Sequence, residues 1–253
     1  MIGWLTADLS IMFKNNLKHS KKLLLFTAHP DDHLCCAGLA MFLKEQGFSV
    51  AEVVFTGGER SVCLDQPGKN GNHEALKKHR QKELARSSGI IGIGKTIFLG
   101  QSDSAIARSV ELMEELIKII RAEKPQIVVA THPQDMHFDH QVVGRLVTEA
   151  VDRAAWTNAE ELGESHQVLA TLFMEGLTFG RPDLAVDITK FLPRKRRAVA
   201  SFKSQITPAE RDLLFSMNNF RGFMKGGVKA AEAYEIAPNL PAHLNELVGL
   251  FKK

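Results

Sequence analysis

The chain has 253 residues, 44% of them hydrophobic and 24% charged, the composition of an ordinary globular protein rather than a disordered or fibrous one. Its 32 Lys and Arg against 29 Asp and Glu leave a formal charge of +3, too small an excess to argue for a nucleic acid or an anionic membrane as partner. Three Cys make no disulfide framework and suit a reducing compartment.

Residues 1–21 place Asp8, Lys14, Asn15 and Asn16 inside every apolar run, so they are expected to form an N-terminal arm rather than a signal peptide. No later apolar stretch reaches the roughly 18 residues that cross a bilayer. A cytoplasmic protein with no membrane partner is the expectation, and the composition is compatible with a homo-oligomer.

The apolar run 22–28 enters a His-Pro-Asp-Asp turn and reads as a buried strand. A helix follows over 34–47 with a Gly stop, then a β-branched strand over 48–55. Residues 56–72 are polar and Gly-rich, a loop long enough to suggest a functional role. A charged helix is predicted over 73–88, ending at Gly89, and a third strand over 95–99. The clearest helix spans 107–123, with Val110, Met113, Leu116, Ile117 and Ile120 on one face. A fourth strand covers 126–130, the polar loop THPQDMHFDH follows, and a helix runs over about 141–154. Beyond residue 155 strands are expected at 167–174, 184–188 and 233–236, with helices before the last.

Strand–helix alternation at this spacing predicts an α/β fold: a Rossmann-like three-layer sandwich, its mostly parallel sheet covered by helices on both faces. With no repeat or linker, residues 22–253 read as a single domain. The first strand leads into His-Pro-Asp-Asp and not into G-x-G-x-x-G, which argues against a dinucleotide-binding protein.

Two segments gather groups that bind metals or move protons: His29-Pro30-Asp31-Asp32-His33, and the stretch from His132 to His140. Each follows a predicted parallel strand, at the carboxyl edge where open α/β sheets place their sites. A catalytic zinc takes three ligands from His and carboxylate and leaves one position for water. His29, Asp32 and His140 supply such a set, although His and Asp donors also accept iron or cobalt. Asp31 is then placed to act as general base, and His137 to donate to a substrate carbonyl. Asp139 is placed to hold one imidazole in its tautomer. The alternative is that the paired Asp merely open a helix as a turn and N-cap. Single histidines such as His33, His132 and His166 are expected at the surface.

The sequence resembles the PIG-L/LmbE family of zinc-dependent N-acetylglucosamine-type deacetylases, through Ala28-His29-Pro30-Asp31-Asp32 and His137-Phe138-Asp139-His140. Thr56-Gly57-Gly58-Glu59, Arg80-x-x-Glu83, Leu99-Gly100 with Asp103, Val186-Asp187-Ile188-Thr189, Lys203-Ser204-Gln205 and Ala231-Glu232-Ala233-Tyr234 extend the likeness in order along the chain. The resemblance implies one zinc per chain on His29, Asp32 and His140, with Asp31 as base on the zinc-bound water. It also implies that His137 assists the oxyanion, that Asp139 supports the site, and that Glu59, Arg80 and Asp103 grip the substrate. That substrate would be a small N-acetylated amino sugar or its conjugate.

The residue after His-Pro-Asp-Asp is His33 where the family most often has Glu, and an altered tuning of the metal site is expected from it. Cys35 and Cys36 read as apolar fillers of a core-facing helix, the other reading being a redox-sensitive wall near the metal. The loop 60–72, with Lys69 and Asn70, is expected to shape substrate choice. Two other functions remain open: a zinc-dependent hydratase or lyase on an organic acid, favoured by several Arg or Lys in the cleft, and a non-catalytic sugar-binding module.

Overall fold

The structure, a computed structural model, describes residues 21–176 and 178–238, so the expected N-terminal arm lies almost wholly outside the described residues. Seven strands form one sheet: β1 (Lys22–Thr27), β2 (Ser49–Thr56), β3 (Lys95–Gln101), β4 (Ile127–Thr131), β5 (Ala170–Met174), β6 (Leu184–Asp187) and β7 (Ala231–Ile236). Their order is β3-β2-β1-β4-β5-β7-β6. The first five are mutually parallel, and β7 runs antiparallel to both of its neighbours.

Both faces of the sheet are covered, which is why β1 is apolar throughout instead of alternating with polar residues. Leu23 and Leu25 enter one core, Leu24 and Phe26 the other. The first core is closed by α1 (Ala37–Glu45), α2 (His73–Ile91), α5 (Leu192–Val199) and α6 (Pro208–Gly226). The second is closed by α3 (Val110–Glu123) and α4 (Phe138–Ala154). The three-layer α/β architecture expected from the sequence is therefore the one observed. Among the described residues no helix is long and apolar enough to cross a membrane.

Several boundaries differ from the sequence reading, each for a local reason. The segment after His-Pro-Asp-Asp begins as a 3-10 turn, Asp32–Cys36, before α1. Helix α2 runs through Gly89 and stops at Gly92, which takes the left-handed conformation and bonds its amide to the Ser88 carbonyl. Helix α3 starts late because Ser109 caps it by accepting the Leu112 amide, so Val110 is exposed and Leu112 fills the core instead. Helix α4 starts early, at Phe138, with His137 as its cap: His137 Nδ1 accepts the Asp139 amide. Imidazole is an uncommon cap, and the early start puts Asp139 and His140 in the first helical turn.

The topology positions the site. Strand β1 lies between β2 and β4, so the chain winds to one side after β1 and crosses to the other before β4. The carboxyl ends of these two adjacent strands flank the switch point, where a crevice opens. Close packing of α4 onto β4 depends on Gly144, whose Cβ would meet the Thr131 carbonyl oxygen at 2.5 Å.

Candidate active site

The turn after β1 is folded by Asp32, whose Oδ2 accepts the His29 amide at 2.8 Å. That turn sets the Asp32 carboxylate between two imidazoles, His29 in the turn after β1 and His140 in the first turn of α4. Oδ1 lies 3.1 Å from His140 Nε2, and Oδ2 lies 3.7 Å from His29 Nδ1. The outer nitrogen of each ring faces other carboxylates. His29 Nε2 is 3.2 Å from Asp139 Oδ2 and 3.3 Å from Asp103 Oδ1, and His140 Nδ1 is 3.4 Å from Asp135 Oδ1. His137 stands beside both, its ring centroid 4.8 Å from each of the other two. Each of the three imidazoles brings one nitrogen within 4.8 Å of the others.

Charge in this cluster is unbalanced. Burial opposes protonation of His29, but hydrogen bonds to Asp103, Asp139 and Asp32 outweigh it and hold the ring well above the usual histidine range. His140 is likewise pushed up to about 10, its burial overcome by the Asp32 charge and by Asp135. Asp32 is held well below the ordinary carboxylate range because His140 and His29 outweigh its burial. Four carboxylates thus face two imidazoles here. Asp139 Oδ1 is also buried without a hydrogen-bond partner. Two imidazoles, a shared carboxylate and backing acids on the outer nitrogens are a donor set that fits a divalent transition metal.

His137 differs from its neighbours. Burial and the nearby charges of His29 and His140 lower its pKa, and its Nδ1 is occupied by the Asp139 amide. The neutral ring therefore carries its proton on Nε2. A cavity of about 430 Å³ opens here, lined by His29, Asp31, Asp32, His137 and His140 among others.

Asp31 does not cap a helix; no side-chain capping bond forms there. Its Oδ1 instead receives Arg80 Nη2 at 2.6 Å. Arg80 is buried, and its Nη1 donates to the Gly58 carbonyl at 2.8 Å and to Ser61 Oγ at 3.1 Å. Gly58 is required twice over, by a φ of 64° and because a Cβ would meet Arg80 Nη1 at 1.9 Å. Arg80 thus borders the cavity with its fork turned to the protein.

The other two residues expected to grip substrate also face inward. Asp103 Oδ2 accepts the Arg60 amide at 2.8 Å while Oδ1 faces His29. Glu59 Oε1 accepts the Asp103 amide at 2.9 Å, and its Oε2 is buried without a partner.

Three expectations of surface placement need correction. His33, His132 and His166 are all buried, not at the surface. His33 is also not among the groups around His29 and His140. Its Nδ1 lies 3.1 Å from Glu52 Oε1 and its Nε2 lies 2.7 Å from Ser87 Oγ, so it serves a buried pair beneath the turn. His132 pairs with Glu235 at 3.0 Å, beside a separate cavity of about 540 Å³. His166 bonds the Pro125 carbonyl at 2.7 Å. Cys36 fills the core as expected, whereas the half-buried Cys35 also lines this cavity beside His29 and Asp32, and burial pushes its thiol up to about 12.

Sequence reasoning did not assign Asp135 or Ser104. Asp135 accepts the His137 amide at 2.9 Å and backs His140. Ser104 adopts a φ of 60° and donates its amide to Asp139 Oδ2 at 2.7 Å. Asp135 lay in a loop already rich in site residues, while nothing in the sequence marks Ser104.

Residues 24–151 match the family described as PIG-L: GlcNAc-PI de-N-acetylase. The diacetylchitobiose deacetylase of Thermococcus kodakarensis is 28% identical over 255 residues, covering 95% of this chain and 92% of that one. The structure of N,N'-diacetylchitobiose deacetylase from Pyrococcus horikoshii, complexed with its inhibitor MPG, superposes with a TM-score of 0.77 at 26% identity, covering 90% and 89% of the two chains. The 4-carboxy-2-hydroxymuconate hydratase of Pseudomonas putida gives a TM-score of 0.77 at 19% identity, covering 87% of this chain and 98% of that one, a likeness of fold alone.

Proposed function

Because the chain belongs to the PIG-L family of GlcNAc-PI de-N-acetylases, we propose that it is a zinc-dependent hydrolase that removes an N-acetyl group from a small N-acetylated amino sugar or its conjugate. The observation that carries this reading is the Asp32 carboxylate set between His29 and His140, with Asp31 beside it on the same cavity. His29, Asp32 and His140 would hold the ion. When bound, it supplies a Lewis acid that polarises the acetyl carbonyl and makes a nearby water more acidic.

The chain's own groups do the rest. Asp31 takes the proton of the attacking water on Oδ2, since Arg80 occupies Oδ1. The same proton passes to the amine as the C–N bond breaks, giving acetate and the free amino sugar. His137 donates its Nε2 proton toward the acetyl oxygen, where charge builds up. Asp103 and Asp139 orient His29, and Asp135 orients His140. Arg80 acts here as a positioning residue for Asp31, not as a clamp on the sugar.

A hydratase acting on a carboxylate-rich acid would need a basic cleft. Apart from histidines, the basic side chains on this cavity are Arg60 and Arg80, and Arg80 is committed to Asp31. The test is a panel assay on metal-loaded protein, with N-acetylglucosamine, diacetylchitobiose and N-acetylglucosaminyl conjugates set against unsaturated dicarboxylates. Acetate and amine released from the sugars support the reading. Hydration of a dicarboxylate with no acetate from any sugar overturns it.

A further inference from the structure

The loop between β2 and α2 gathers metal-binding groups that the cleft does not use. Cys63 Sγ stands 3.4 Å from Asp65 Oδ1. His79 Nε2, on α2, stands 3.1 and 3.2 Å from the two Asp65 oxygens. The sulfur, the nitrogen and one carboxylate oxygen all lie within 4.8 Å of one another. Cys63 is buried, His79 is half-buried, and Asp65 keeps the cluster open to solvent.

We infer that Cys63, Asp65 and His79 form a second transition-metal site, separate from the catalytic cleft, which pins the 60–72 loop to α2. Donor atoms around a tetrahedral zinc stand about 3.3–3.6 Å apart, given bonds of roughly 2.0–2.3 Å. The Asp65 contacts to the sulfur and to the nitrogen fall close to that spacing, so one carboxylate oxygen already bridges the other two donors. Thiolate, imidazole and carboxylate together favour zinc or another borderline ion over calcium or magnesium. Glu83 Oε1 lies 3.7 Å from His79 Nε2, but both Glu83 oxygens already accept from Ser204, which leaves the fourth position to water.

The placement gives such an ion a consequence. His79 immediately precedes Arg80, which holds Asp31, and the loop opens with Arg60 and Ser61, which touch Asp103 and Arg80. Asn70 fastens the other end of the loop by accepting the Cys63 amide at 2.7 Å. An ion on Cys63 and His79 therefore closes the loop into a ring beside the cleft and fixes the residues at its rim. The competing account is a metal-free Asp65–His79 ion pair with a thiol hydrogen bond.

Cobalt titration of the metal-free full chain separates the two accounts. The donors assigned to the cleft are nitrogen and oxygen, so a thiolate-to-cobalt charge-transfer band reports sulfur ligation. The wild-type chain is expected to bind two equivalents of cobalt, with the band saturating. Cys63→Ser should lose the band and bind one equivalent. Asp65→Asn, on the exposed side of the cluster and so safe for folding, should weaken the band's apparent affinity at least about tenfold. No band in the wild type, a band that survives undiminished in Cys63→Ser, or an affinity unmoved by Asp65→Asn would each overturn the inference. Cys35, on the cleft wall, is the source in the second case.

Discussion

Arg80 and Asp31 are joined across the mouth of the turn, Nη2 to Oδ1 at 2.6 Å, although 49 positions separate them in the chain. In the proposed mechanism this contact lets Arg80 fix the orientation of the Asp31 carboxylate. Lysine cannot reproduce a fork that serves Asp31, Gly58 and Ser61 at once. Arg80→Lys should therefore lower kcat by about 10–100-fold with KM little changed and metal content intact. Gly58→Ala should do the same without replacing a charged residue, because its Cβ displaces the Arg80 guanidinium. Steady-state kinetics and elemental analysis on both variants check this. A rise in KM alone would return Arg80 to the substrate.

Asp103 offers a second separation of roles. If it orients His29 from behind, Asp103→Asn should weaken metal affinity by about 10–100-fold, and activity should return when metal is supplied in excess. A residue that grips the sugar would instead leave metal affinity alone and raise KM. Competition with a chelator of known affinity, followed by assay at saturating metal, distinguishes the two outcomes.

The buried His33–Glu52 pair makes a stability prediction at the position that follows His-Pro-Asp-Asp. His33→Glu would set two carboxylates against each other with no solvent to screen them, a loss of about 3–5 kcal/mol at neutral pH. The repulsion is relieved when one of the two carboxylates is protonated, so the variant is more stable at low pH than at high pH. Urea unfolding at pH 5 and pH 8 should show the larger deficit at pH 8, relieved by adding Glu52→Gln. Equal deficits at both pH values would mean that His33 contributes shape and not charge.

The parallel core of the fold and the two halves of the site were legible in the sequence for the same physical reason. Apolar runs buried on both faces read as strands of a parallel sheet, and polar groups just past the ends of adjacent parallel strands share one edge. Which way Arg80, Asp103 and Glu59 turn was not legible, because spacing along a chain says which residues approach the cleft and not how their side chains face. The early start of α4 was hidden by a histidine cap, and the burial of His33 by a partner, Glu52, on another strand. Asp135 and Ser104 depend on backbone turns that leave no mark in residue type.

The adjacent aspartates carry the central claim, since one is assigned to the ion and the other to the proton. The decisive measurement is kcat for acetate release by Asp31→Asn, made on protein whose metal content has been determined beside that of Asp32→Ala. Asn preserves volume and can still meet Arg80 through its carbonyl oxygen, but it cannot accept a proton from water. The account predicts that Asp31→Asn keeps its metal while kcat falls by about 10²–10⁴-fold, and that Asp32→Ala loses metal and activity together. Turnover near the parent value in Asp31→Asn, or a metal-free Asp31→Asn beside a metal-loaded Asp32→Ala, would contradict it.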